Sequence, residues 1–314
     1  MPRDGSPPSG ADKPQGPIAP MNIGEIATPP FAVLPDPARL FSTRAARLRA
    51  LAAGHDLEGY LHFLAAICEA QARTVAATGL PAFPPTTLLA RAREHGMPPI
   101  SLGTFTPDAA TETTFSVLLE TLSVNADAVS AKPVINAIQN LPPAARGAMM
   151  LAVLMDDIPA DEIASHVLAA AAVQVHFARL AAELDAGSLQ KIATGACPAC
   201  GGRPVASAIV GWEGAANTRF CTCAICATQW NVARIVCLSC GTEKGIVYHG
   251  LEGGSENVKA ETCESCNSYV KILYQIKDAD LEAIADDVAS LGLDLKLREE
   301  GIARASANPF LLGY

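Results

Sequence analysis

The chain is 314 residues long, carries a formal net charge of −9, and is half apolar but only 5% aromatic. That length is enough for two compact units, and a composition led by alanine favours helix over sheet for most of it. No run rich in Lys or Arg is present, so the chain lacks the basic stripe that nucleic-acid binding requires.

The first 34 residues hold Pro7, Pro8, Pro14, Pro17, Pro20, Pro29 and Pro30 and show little periodicity, which predicts a disordered extension. They contain no apolar stretch of the kind a secretion signal needs, and the expected location is the cytoplasm. Asp36-Pro37 then supplies an N-cap and an N1 proline. Leu40, Arg44, Arg47, Leu48 and Leu51 carry the helix on to Gly54. Asp56 opens a second helix, with Tyr60, Phe63, Leu64, Ile67 and Gln71 at helical spacing, and Pro81, Pro84 and Pro85 end it.

Further helices are predicted over residues 86–95, 108–126, 132–140, 142–155 and 159–186, the last with Asp161 and Glu162 in its first turn. The most apolar stretch, residues 167–182, is interrupted by Gln174, His176 and Arg179. Those polar groups predict a buried helix of a soluble domain, not a membrane span. Residues 35–190 therefore read as one helical domain of six or seven helices. Residues 191–275 read as a cysteine-rich module, and residues 276–314 as a C-terminal helix and tail packing on the body. That helix is predicted over 278–291, burying Leu281, Ile284, Ala285, Val288 and Leu291 and leaving Asp286 and Asp287 on a solvated outer face. The expected fold class is α+β: an all-α N-terminal domain, a tandem zinc-ribbon or rubredoxin-like module, and a C-terminal helix.

The cysteine-rich module carries the most specific signal. Cys197-x-x-Cys200 precedes Cys223-x-x-Cys226, and Cys237-x-x-Cys240 precedes Cys263-x-x-Cys266, all four pairs superposing at a shift of 40 residues. Gly201 then falls on Gly241, Gly214 on Gly254 and Thr222 on Thr262, the mark of a duplicated unit. A Cys-x-x-Cys turn aims two sulfurs at one ion, and a following glycine tolerates the left-handed conformation that closes it. One such pair could be a redox dithiol, but four at matched spacing predict two tetrathiolate metal sites. The ribbon order (strands over 204–210, 219–221 and 228–235) favours one site from the first two pairs and another from the last two. A cross-braced or nested arrangement stays open on spacing alone.

The remaining candidates read as structural. His55, His62, His95, His166, His176 and His249 form no cluster with ligand spacing, and Cys68 belongs to an apolar helix pattern. Cys221 faces Glu261 in the repeat, so it is predicted to be a strand residue beside the site. Between Cys197 and Tyr274 six acidic residues balance six basic ones, which again argues against nucleic acid. Closed four-sulfur sites leave no position for a substrate. No phosphate loop, nucleophile elbow or dinucleotide fingerprint is present, so the chain is not expected to be an enzyme.

These residues resemble the formate dehydrogenase accessory proteins of the FdhE type. The likeness lies in Cys197-Pro198-Ala199-Cys200-Gly201-Gly202, in Arg219 with Cys223–Cys226 and Trp230, and in Cys237–Cys240 with Gly241. It continues in Glu261-Thr262-Cys263 to Cys266 with Tyr269 and Lys271, in Ala285-Asp286-Asp287, and in Asn308-Pro309-Phe310. Leu34-Pro35-Asp36-Pro37 with Arg44-Ala45-Ala46-Arg47-Leu48 is similar to the family's N-terminal entry, so the resemblance spans about residues 31–314.

The resemblance implies a cytoplasmic, non-catalytic maturation factor that binds the catalytic (alpha) subunit of a formate dehydrogenase and is needed for its activity. It also implies metal ligation by Cys197, Cys200, Cys223, Cys226, Cys237, Cys240, Cys263 and Cys266, with iron favoured and zinc compatible. No nucleic-acid partner and no membrane insertion are expected. A second reading is a rubredoxin-like iron protein that passes an electron to or from its client.

Overall fold

Asp36 caps the first helix as predicted, its carboxylate accepting from the Ala38 N–H at 3.1 Å with Pro37 at N1. The computed structural model describes residues 28–312; the prolines before residue 28 lie outside the described residues. Residues 32–33, within the predicted extension, instead form strand β1 (Ala32–Val33), which pairs antiparallel with β4 (Gln229–Val232).

Seven helices follow: α1 (Pro37–Ala52), α2 (Glu58–Ala77), α3 (Thr86–Glu94), α4 (Ala109–Ser123), α5 (Lys132–Gln139), α6 (Pro143–Met155) and α7 (Ile163–Ala182). Helix α7 begins four residues later than expected, because residues 159–162 form a turn closed by the Glu162 N–H on the Pro159 carbonyl. It is the central helix, with every residue from His166 to Ala181 buried. By length and composition alone it could cross a membrane, yet 83% of its most apolar window is buried inside the protein. Several of its polar residues have internal partners. The Gln71 amide donates to the Ala171 carbonyl and to Gln174, and Arg179 donates to the hydroxyl and carbonyl of Thr78. Burial lowers the His176 imidazole to about 4, so it stays neutral between the rings of Phe105 and Phe177.

The cysteine-rich half forms one sheet. Strands β2 (Pro204–Ile209), β3 (Arg219–Cys223) and β4 make the first antiparallel unit. The second comprises β5 (Ile246–His249), β6 (Val258–Cys263) and β7 (Ser268–Leu273). The two units join head to tail where β2 runs parallel to β7, with Ser207 opposite Ile272 and Ala208 opposite Leu273. The sheet order is β1-β4-β3-β2-β7-β6-β5, with β8 (Ala303–Arg304) parallel to the other half of the same β7 edge. The seam is locked by a buried ion pair, Arg219 to Glu261 at 2.9 Å, and Arg219 also donates to Ser207. Glu261 is the position equivalent to Cys221, so one repeat supplies a carboxylate where the other packs a thiol.

The C-terminal region departs from the prediction. The expected single helix is two, α8 (Ala283–Ala289) and α9 (Leu291–Glu299). Glu282 caps α8 by accepting from the Ile284 and Ala285 N–H groups, so the helix cannot start at residue 278. Ser290 ends it, its hydroxyl donating back to the carbonyls of Asp286 and Asp287. Asp286 and Asp287 are buried, not solvated. Asp286 receives a two-pronged bond from Arg47 of α1, while Asp287 faces Lys271, Arg304 and Asn308.

One apolar core runs through all of this. The same contiguous cluster contains Leu48, Leu64, Phe115 and Phe177 of the helices, Phe220 and Trp230 of the sheet, and Ile284 and Phe310 of the C-terminal region. All four cysteines of the first pair of turns belong to it.

Candidate metal centres

Each cysteine turn is built the same way twice. The Gly201 N–H bonds the Cys197 carbonyl at 2.8 Å, and the Gly241 N–H bonds the Cys237 carbonyl at 2.9 Å. Both glycines have left-handed backbone, φ +83 and +79, which an L side chain would strain. On the opposite turns Ala227 and Asn267, again 40 residues apart, adopt φ 58 and 51. These bends point backbone donors at sulfur: Gly202 at Cys200, Ile225 at Cys223, and Ser239 and Cys240 at Cys237, each at 3.4 Å. Hydroxyls sit beside the last sulfur of each set, Thr228 at 3.2 Å from Cys226 and Ser268 at 3.0 Å from Cys266.

The strands bring the turns together as first with second and third with fourth. Cys197, Cys200, Cys223 and Cys226 form one group and Cys237, Cys240, Cys263 and Cys266 the other, all four sulfurs in each lying within 4.8 Å of one another. Cys197–Cys226 is 3.5 Å, Cys200–Cys223 3.4 Å, Cys237–Cys266 3.6 Å and Cys240–Cys263 3.7 Å. A tetrahedron with metal–sulfur bonds of ~2.3 Å has edges of about 3.8 Å. The spacing therefore suits a four-sulfur metal centre and is far too long for disulfides.

The protonation pattern agrees. Burial pushes the thiols of Cys197 and Cys200 well above their ordinary range. At Cys223 the same burial is outweighed by the neighbouring thiols of Cys197, Cys200 and Cys226, which hold this sulfur well below it. In the second group burial raises Cys237 to about 12, while at Cys266 the Ser268 hydroxyl and neighbouring thiols outweigh burial and bring it to about 7. A divalent ion entering either cluster would displace the protons its thiols still carry.

The other sequence candidates do not join these centres. Among the described residues, no His, Asp or Glu accompanies the two cysteine groups as a possible ligand. His249 is 3.0 Å from the Thr262 hydroxyl, and Cys68 and Cys221 are buried thiols that burial raises to about 12. What the sequence reading missed is a buried polar cluster where β7 meets the C-terminal helices. Tyr269 and Lys271 of β7 meet Asp287, Asp294 and Arg304, with Lys271 2.5 Å from Asp294 and 3.2 Å from Asp287. A signal was present: Lys271 is the only cation in the apolar run from Tyr269 to Leu273, and a charge there needs a buried partner.

Comparison with known proteins covers most of the chain. The chain matches the family model described as "FdhE, N-terminal" over residues 29–194, "FdhE, central domain" over 196–234 and "FdhE, C-terminal domain" over 235–311. The chain belongs to the FdhE family, the formate dehydrogenase accessory proteins whose motifs its sequence carries. It is 42% identical over 297 residues to a "Protein FdhE homolog" of Rhizobium meliloti (strain 1021), covering 94% of this chain and 97% of that relative. A "Protein FdhE homolog" of Edwardsiella ictaluri (strain 93-146) is 34% identical over 298 residues, covering 94% and 92%. The crystal structure of the FdhE protein from Pseudomonas aeruginosa superposes with a TM-score of 0.79 at 32% identity, covering 91% of this chain and 99% of that one. The FdhE boundary at residues 194–196 falls where the helical body ends and the first cysteine turn begins.

Proposed function

We propose that this FdhE-family protein is a cytoplasmic maturation factor without catalytic turnover, which binds the catalytic subunit of a formate dehydrogenase and carries two metal ions in its four-cysteine centres. The observation that carries the reading is the pair of closed four-sulfur clusters in a chain that matches FdhE from residue 29 to 311. Four sulfurs complete a tetrahedron and leave no open position for a substrate, so the metal's part is to hold the sheet in shape. Cys197, Cys200, Cys223 and Cys226 would hold one ion, and Cys237, Cys240, Cys263 and Cys266 the other. Iron is favoured by the family resemblance, and zinc suits the same geometry.

A scaffold of this kind suits recognition of a protein surface. Turns and loops are displayed at fixed separation on a sheet that is itself fastened to a helical body. The test is retention of a client by the tagged, full-length chain in anaerobic extract of the native host. The expected result is specific co-purification of the formate dehydrogenase catalytic polypeptide. Recovery of the chain without that polypeptide, from cells shown to contain it, would contradict the reading.

A further inference from the structure

The two centres come from one duplicated unit, yet what lies over them differs. Over the first centre the helical body closes completely. The segment after α3 lies along the first turn, with the Ile100 N–H on the Ala199 carbonyl at 3.1 Å and the Leu102 N–H on the Cys200 carbonyl at 3.0 Å. From the other side Gln174 of α7 donates to the Ala224 carbonyl at 2.9 Å. The first four cysteines are at most 1% exposed and form part of the main core.

The second centre is covered on one side only, where Thr194 and Gly195 lie against its first turn and Leu238 joins the main core. Cys240 is exposed and Cys266 is half-buried. Cys237 and Cys263 are buried, yet none of the four belongs to the main apolar core. The reason lies in the head-to-tail joining. Strand β2 of the first unit has its outer edge occupied by β7, whereas its counterpart β5 is the free edge of the sheet, with Val247 and Tyr248 partly exposed.

From this asymmetry we infer that the second centre is a labile site, which exchanges its metal ion with soluble thiol or nitrogen-donor chelators, while the first keeps its ion for the lifetime of the fold. Ligand exchange at a filled tetrahedron begins when an incoming donor reaches the metal as one sulfur leaves, or captures that sulfur after it has swung away. At the second centre the Cys240 sulfur can leave directly into water, and the incoming donor takes its place on the ion. At the first centre both partners are sealed in, so exchange must wait for the segment at 97–105 or helix α7 to lift, a rarer opening of the core.

This inference rests on the reading that both clusters hold metal, and its test separates the two. The anaerobically purified protein is loaded with zinc, its content measured, and excess 4-(2-pyridylazo)resorcinol added while the coloured zinc complex is followed. Two ions per chain should leave in two equal phases, the fast one about tenfold or more ahead of the slow. Cys240→Ser should lose the fast phase and keep the slow one. In parallel, N-ethylmaleimide should label Cys240 and Cys266 of the loaded wild-type protein well before Cys197, Cys200, Cys223 or Cys226, a readout that stands even if the variant misfolds. Two ions leaving in one phase, with even labelling of both groups, would overturn the inference and leave the metal-centre reading intact. Fewer than two ions per chain at saturation would overturn that reading, and the inference with it.

Discussion

Cys200→Ser is expected to cost the protein one of its two metal ions and to destabilise the helical body together with the sheet. The sequence alone suggests a milder outcome, with a separate helical domain surviving the loss of a small ribbon. The packing reverses that expectation. Cys197, Cys200, Cys223 and Cys226 sit in the same cluster as Leu64, Phe115 and Phe177, and the Cys200 carbonyl itself accepts from Leu102. Without the ion, protonated thiols and a serine hydroxyl would remain in a sealed apolar site, at a cost of several kcal/mol. Metal analysis and a thermal melt followed by helical circular dichroism should show one ion lost and a midpoint well below that of the wild type. Cys263→Ser should also lose one ion but move the melt much less, because its centre lies at the sheet edge. Equal shifts for the two variants would count against the shared core.

The second large effect is expected from Lys271→Met. Lys271 is fully buried and holds two carboxylates, Asp287 and Asp294, while donating to the carbonyls of Asp287 and Ser290. Those carbonyls lie where α8 gives way to α9, so the lysine also ties the helix junction together. Removing one member of a buried charge cluster typically costs ~3–5 kcal/mol, since the partners stay behind uncompensated. Arg49→Ala, which breaks part-exposed bridges to Glu69 and Asp127, should cost under about 1 kcal/mol and serves as the control.

The same network sets an acid limb. Burial opposes ionisation of Asp287, but Lys271 and Arg304 outweigh it and hold its carboxyl below the usual range. A carboxylate lowered in the folded state stabilises fully above its unfolded pKa of about 3.9 and loses that contribution as pH falls through the folded value. Lys271→Met should therefore begin acid unfolding at a higher pH than the wild type. Denaturant midpoints for the two proteins across that range would check both the size and the sign.

The parts of this molecule that were legible in the sequence are those fixed by local spacing. The cysteine turns with their trailing glycines, the Asp36-Pro37 helix start and the polar interruptions of α7 are all short-range patterns, and physical chemistry reads them directly. What escaped depends on residues far apart in the chain. Arg44 looks like an ordinary helix-surface residue until Glu282, 238 positions away, is placed 3.0 Å from it. Asp286 and Asp287 look solvated for the same reason, because their cations lie on α1, β7 and β8. The parallel seam between β2 and β7 likewise has no local signature, since it rests on two residue pairs and one buried Arg219–Glu261 bridge. That seam leaves β5 at the sheet edge, so the unequal cover of two like centres could not be read from a repeat that makes them look the same.

The most direct test of the account is made in the native host with the gene deleted. A maturation factor acts on the enzyme's competence and not on its synthesis. The deletion strain should therefore still make the formate dehydrogenase catalytic polypeptide, detected by immunoblot, while formate oxidation in its extracts falls to a small fraction of wild type. A plasmid copy of the gene should restore it. Formate oxidation at the wild-type level in that strain, with the polypeptide equally abundant, would contradict the account.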